Sequence, residues 1–216
     1  PTVSYEGKNY NTVQVGAQCW FKENLNVGTK INGSQAQANN GNKEKWCYND
    51  LESNCDVYGG LYQWGEVVQY LNGASNSTSW NPFPTSNVVG LCPSGWHIPA
   101  YGESLTLNNY LGSETGGKMK ETGTTHWLSP NTGATNSSGF TGLGGGYFNG
   151  VFNSWLKFVR NFIFTCSNSI FRSASFRSFS IRCFTSRRSC SKANSFLNFC
   201  IPRLRMIHKV VIKRVK

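Results

Sequence analysis

Val3-Ser-Tyr-Glu-Gly-Lys-Asn-Tyr-Asn-Thr-Val-Gln-Val15 is the stretch on which the fold turns. Strand-forming residues stand on both sides of Gly7, and a glycine between two such runs marks a turn, so the stretch reads as a β-hairpin. Ala17-Gln-Cys-Trp-Phe-Lys-Glu-Asn-Leu25 follows directly and mixes aromatic residues with a polar Glu-Asn pair. Asn32-Gly33 and Asn40-Gly41 are strong turn dipeptides, and the Gln/Asn-rich run between them reads as a surface loop.

Farther out the period changes. In Leu61-Tyr-Gln-Trp-Gly-Glu-Val-Val-Gln-Tyr-Leu71, the residues Leu61, Trp64, Val67, Val68 and Leu71 share one face of a helix that Asn72-Gly73 would stop. Residues 72–89, rich in Ser, Asn and Pro, read as loop. A second helix is expected over Gly102 to Leu111, with Leu105, Leu107 and Leu111 as its apolar residues. From Thr122 to Gly146, Gly, Thr, Ser and Asn surround isolated aromatics, which implies tight loops and short strands. The expected architecture is α+β: two short helices and short twisted antiparallel strands. No run of eighteen apolar residues occurs, so no membrane-spanning helix is expected. The chain opens at Pro1 with no signal peptide and reads as a mature or truncated product.

The net charge of +11 over 216 residues conceals two materials. Residues 1–150 hold seven lysines, no arginine and ten acidic residues, together with all 23 glycines. Residues 151–216 hold fourteen Lys and Arg, eleven Ser and ten Phe, and no Asp, Glu or Gly. The basic excess that would ordinarily suggest nucleic acid is therefore confined to one end.

Five segments of the first part carry a resemblance. They are Gly7-Lys-Asn-Tyr-Asn-Thr-Val-Gln-Val-Gly16 leading into Gln18-Cys-Trp-Phe-Lys-Glu-Asn-Leu25; Cys47-Tyr-Asn-Asp with Cys55 and Tyr58-Gly-Gly-Leu-Tyr-Gln-Trp64; Gly90-Leu-Cys-Pro-Ser-Gly-Trp-His-Ile-Pro99; Tyr110-Leu-Gly112 with Gly116-Gly-Lys-Met-Lys-Glu-Thr-Gly123 and His126-Trp127; and Asn131-Thr-Gly-Ala-Thr-Asn-Ser-Ser-Gly-Phe140 running to Gly144-Gly-Gly-Tyr147. In this order over residues 3–150 they resemble the Fibrobacter succinogenes major paralogous domain family. The resemblance implies a C-type-lectin-like fold, in the group that includes the formylglycine-generating enzymes, displayed outside the cell and without an established catalytic activity.

The chain also departs from the family pattern. Glu103 is followed by Ser104 where the family usually has Trp, and no Trp-Ser-Ser segment occurs. Phe179-Ser-Ile-Arg-Cys183 resembles the family's closing motif but arrives soon after Tyr147 and lacks a preceding Gly. Residues 1–150 are accordingly read as a truncated family domain. Residues 151–216 are read as a poorly ordered basic Ser/Phe/Arg-rich tail, produced by a frame shift in the family's missing end. Trp155 has a single codon, TGG, and one base later the frame opens on Gly. On this reading the sheet lacks its closing strands and leaves an edge exposed. The resemblance would pair Cys92 with the terminal cysteine of the closing motif, and Cys183 is expected to be a poor substitute.

Cys47 and Cys55 enclose a short polar loop and are expected to form a disulfide, the usual state of paired cysteines in an exported protein. No metal or cofactor is expected, since no Cys-x-x-Cys or His-x₃-His spacing is present. Asp50, Glu52 and Asp56 could offer oxygens to calcium but read as solvated loop charges without an EF-hand pattern. Tryptophans Trp20, Trp46, Trp64, Trp80, Trp96 and Trp127 could form a sugar-stacking face; core filling is the preferred reading. His97 reads as a satisfied buried imidazole rather than a catalytic base. Gly144-Gly-Gly146 lacks the strand–helix context of a phosphate loop, and the sequons at Asn76 and Asn136 carry little weight.

The expected function is a non-enzymatic, secreted or cell-surface binding module with an unidentified extracellular ligand (a glycan or a protein), recognised through loops of the C-terminal half. No catalytic residue is assigned. An oxidase of the formylglycine-generating type is the alternative and would need Cys183 and Cys190 to hold copper. Nucleic-acid binding through the arginines and phenylalanines of the tail is weaker still, because no recognised motif accompanies the charge.

Overall fold

The computed structural model describes residues 1–148, 151–153 and 182–185. Among these the strands are β1 (Thr2–Tyr5), β2 (Lys8–Val15), β3 (Gln18–Phe21), β4 (Thr29–Lys30), β5 (Glu44–Lys45), β6 (Tyr147–Phe148), β7 (Phe152–Asn153) and β8 (Phe184–Thr185). The helices are α1 (Glu52–Tyr58), α2 (Trp64–Val67), α3 (Tyr101–Leu111) and α4 (Thr115–Met119). The fold is mixed α and β, with short helices and mostly short antiparallel strands.

The hairpin read from the first fifteen residues is present. Tyr5 pairs with Lys8, leaving Glu6 and Gly7 as a two-residue loop with φ of 51° and 74°. Positive φ at both central positions is the I′ geometry, whose twist matches that of the flanking strands. The next hairpin pairs Val15 with Gln18 around Gly16-Ala17, with Gly16 at φ 60°. A glycine at the first central position is the II′ solution to the same problem.

β3 is buried at all four positions because both faces of the sheet are covered. Cys19 and Phe21 enter the larger core with Tyr10, Leu25, Val27, Tyr62, Leu91 and Trp96. Trp20 points the other way, into a core with Val15, Leu107, Leu111, Met119 and Phe140. A third, smaller cluster joins Trp46, Leu61 and Phe148. Each fully buried side chain of this size contributes roughly 1.5–3 kcal/mol, so β3, serving both faces, is the centre of the molecule.

Several sequence expectations are corrected here. The helix expected over residues 61–71 shrinks to the single turn of α2. Leu61 instead bridges Trp46 as extended chain, and Gln69, Tyr70 and Asn72 all take positive φ. The residues between Cys47 and Cys55 form a 3₁₀ turn and the start of α1, not a loop. The second expected helix is present as α3, with Leu107 and Leu111 buried but Leu105 exposed. The Gln/Asn-rich run is not wholly at the surface, because Gln37 is buried. Its backbone N–H donates to Gln63 Oε1 at 2.9 Å, Gln63 N–H donates to Gln37 Oε1 at 2.6 Å, and Gln37 Nε2 donates to the Leu61 carbonyl at 2.9 Å.

The edge expected to lie open is covered. β8 pairs antiparallel with β3 (Cys19 with Thr185, Trp20 with Phe184), giving the strand order β1-β2-β3-β8. Phe21 N–H also donates to the Cys183 carbonyl at 3.2 Å. The expectation of poor order for the tail falls, apart from residues 151–153 and 182–185, outside the described residues.

Candidate functional site

The closing motif acts as a clasp. Cys183 forms a disulfide with Cys92, with a Cα–Cα distance of 5.6 Å, which corrects the expectation that it would pair poorly. Arg182 beside it is buried and donates from Nε to Asn24 Oδ1 at 2.9 Å, from Nη1 to the Phe140 carbonyl at 2.7 Å and from Nη2 to the Thr141 carbonyl at 3.1 Å. Its guanidinium lies 4.2 Å from the centroid of the Phe140 ring. Burial pushes the Arg182 pKa down to about 9, with the Glu23 charge opposing, so it stays cationic at neutral pH. With its sulfur held by Cys92, Cys183 is not available as half of a copper-binding thiol pair; Cys190 lies outside the described residues.

Cys47 and Cys55 are joined by a disulfide with a Cα–Cα distance of 5.0 Å. The acidic residues around it are each committed elsewhere. Asp50 Oδ1 accepts from the Gly33 N–H at 2.8 Å, Glu52 meets Lys45 at 3.1 Å, and Asp56 pairs with Lys8. The Lys8 ammonium, hydrogen-bonded to Asp56, holds that carboxyl below its ordinary range. Among the described residues no three His, Cys, Asp or Glu side chains converge as a metal site. Both sequon asparagines are structural: Asn76 Oδ1 accepts the Gly65 N–H at 2.9 Å and Asn136 Oδ1 accepts the Thr141 N–H at 2.8 Å.

Two histidine–carboxylate pairs escaped the sequence reading. His97 is buried, with Nε2 at 2.9 and 3.1 Å from the two Glu103 oxygens. Glu103 also accepts the Ala100 N–H at 2.8 Å, so it caps the first turn of α3 while orienting the imidazole. The signal was a Glu at the second position of the helix expected from Gly102, six residues from the histidine. His126 Nδ1 lies 2.7 Å from Glu121 Oε2, and its ring meets Tyr58 edge-on. Gly144, at the start of the three-glycine run, lies against the Trp127 ring and the His126 carbonyl.

Of the tryptophans, Trp20, Trp46, Trp96 and Trp127 fill the cores. Trp64 and Trp80 are half-buried and build outward: their rings meet at 4.9 Å and 73°, and Trp80 meets Phe83 at 5.1 Å and 81°. Phe83 ends the ladder with 72% of its surface exposed. The loop that carries it is tied down by Asn81 N–H on the Asn72 carbonyl at 2.9 Å, Asn72 Nδ2 on the Pro82 carbonyl at 2.8 Å, and Ser75 N–H on the Thr78 carbonyl at 3.0 Å. From Val67 to Gly102 the chain has no Asp, Glu, Lys or Arg. The result is an aromatic ladder ending in an exposed ring, carried by a central loop whose own polar side chains are neutral amides and hydroxyls. Its outermost ring is a phenylalanine, which a reading centred on tryptophan passes over.

Comparison with curated proteins and with solved structures returns no match. The Fibrobacter succinogenes major domain matches residues 13–184, beyond residue 150 and through Phe179-Ser-Ile-Arg-Cys183. The clasp of Arg182 and Cys183, the sheet built on β3 and that match lead to one conclusion: the chain belongs to the Fibrobacter succinogenes major domain family.

Proposed function

We propose that the protein is a non-enzymatic binding module with a C-type-lectin-like fold, secreted or displayed at the cell surface, and that its ligand is a neutral glycan held on the Phe83 platform. The ladder of Trp64, Trp80 and Phe83, ending in an exposed ring, is the observation that carries this reading. An exposed apolar ring with a polar rim suits the C–H face of a sugar, while Asn and Ser side chains match its hydroxyls. A charge-free run of this length offers nothing to phosphate or to an acidic peptide. The disulfides Cys47–Cys55 and Cys92–Cys183 suit an oxidising compartment, which supports export. No helix among the described residues is long and apolar enough to cross a membrane.

A glycan array probed with the full chain tests the proposal. Binding to neutral glycans is expected, and Phe83→Ala should weaken it about tenfold or more, the loss of roughly 1.4 kcal/mol, without moving the melting temperature. Silence across neutral sugars, or binding indifferent to Phe83→Ala, would refute it. Binding to surface proteins alone would favour a protein partner in its place.

A further inference from the structure

We infer that Lys120 anchors a second binding site, separate from the Phe83 platform, whose ligand presents a carboxylate. Lys120 follows α4, and its backbone is pinned on both sides: Gly142 N–H donates to the Met119 carbonyl at 2.7 Å and Glu121 N–H donates to the Gly142 carbonyl at 3.1 Å. The residue is 5% exposed, and its ammonium lies 4.6 Å from the centroid of the Trp127 ring. Trp127 is itself buried and held by Nε1 donating to the Gly142 carbonyl at 3.0 Å.

The other buried cations among the described residues are satisfied. Lys45 has Asn26 and Glu52, and Arg182 has Asn24 and two carbonyls. The Lys120 ammonium makes no hydrogen bond or ion pair among the described residues; the Trp127 ring face is its one electrostatic contact among them. Glu121 is the last acidic residue in the sequence, so no carboxylate side chain of residues 122–216 answers it. Glu121 itself is committed to His126. An aromatic face offsets part of the cost of burying a cation and leaves the rest, so the site is electrostatically incomplete. Burial accordingly pulls the Lys120 ammonium below its ordinary range.

A second unsatisfied group adjoins the same residue. Asn131 Nδ2 donates to the carbonyls of Glu121 at 2.9 Å and Gly123 at 2.6 Å, which fixes its amide. Its Oδ1 is buried with no donor among the described residues. An ammonium that can only donate and an amide oxygen that can only accept thus flank Glu121. A hydroxycarboxylate answers both, its carboxylate accepting from Lys120 and a hydroxyl donating to Asn131. Phosphate and sulfate fit less well, since they favour clusters of donors or an arginine fork over one ammonium.

Titrating the full chain with galacturonate tests the assignment, with the Trp127 indole resonance and the Lys120 ammonium resonance as readouts and galactose and inorganic phosphate as controls. Saturable shifts with galacturonate and none with galactose are expected. Lys120→Met should weaken the response tenfold or more, Lys120→Arg should keep part of it, and Phe83→Ala should leave it unchanged. No saturable shift in the unmodified chain overturns the inference whatever the variants do. Tighter binding of phosphate overturns the carboxylate assignment, and loss of the response in Phe83→Ala overturns the separateness of the two sites.

Discussion

Glu66 lies in the single turn of α2 with no surface exposed. Its carboxylate accepts the Glu44 N–H at 3.1 Å, Gln69 Nε2 at 3.1 Å and the Tyr70 hydroxyl at 3.3 Å. Desolvation outweighs these bonds and holds its pKa above the ordinary value of 4.5. Between 4.5 and that raised value the native state keeps a proton that the unfolded chain has released, so stability falls as pH rises through the interval and is flat above it. Glu66→Gln keeps an acceptor and removes the charge. The variant should match the parent near pH 4 and exceed it at neutral pH, measured by urea melts across pH. Arg182 has the opposite sensitivity. Arg182→Met would strand the Phe140 and Thr141 carbonyls and should lose roughly 3 kcal/mol in the same assay.

At the scale of elements, α3 was legible and α2 was not, for a definable reason. Leu107 and Leu111 lie four residues apart and both reach the core below β3, so period and burial agree. In residues 61–71 an extended bridge buries Leu61, one helical turn buries Val67 with Val68 beside it, and the left-handed kink that follows leaves Leu71 exposed. Periodicity favours a buried face and leaves open the backbone that delivers it. Two glycines make this testable. Gly102 lies within α3 with nothing near its missing Cβ, so Gly102→Ala should raise stability by about 0.5–1 kcal/mol. Gly117 lies in α4, where a Cβ would collide with the Gly133 carbonyl oxygen. Gly117→Ala should cost about 2 kcal/mol or more and loosen the loop at Asn131, seen as faster amide exchange at Thr135, whose N–H donates to the Gly117 carbonyl at 2.9 Å.

At the scale of the whole molecule, the disulfides Cys47–Cys55 and Cys92–Cys183 differ in reach. Cys47–Cys55 spans 8 residues and Cys92–Cys183 spans 91. On chain entropy the short bridge is worth roughly 2.5 kcal/mol and the long one about 4–5 kcal/mol. The Cys92→Ser, Cys183→Ser pair should therefore lower the melting temperature more than the Cys47→Ser, Cys55→Ser pair does. It should also free β3 from β8, exposing the Cys19 and Phe21 amides to exchange. Equal effects from the two pairs would mean that residues 182–185 add nothing to the sheet.

The hairpin around Gly7, α3 and the pairing of Cys47 with Cys55 were all readable from the chain, because each rests on residues close in sequence whose geometry local chemistry dictates. The clasp was misread although its motif was visible. Whether Arg182 finds Asn24 and Cys183 finds Cys92 depends on chain path, and composition pointed the other way. The Phe83 ladder, the mutual clamp of Gln37 and Gln63, and the seating of the Lys120 ammonium on the Trp127 ring could come only from three dimensions. Each is a relation between side chains whose meeting depends on the path of the chain, which no local pattern of residues encodes.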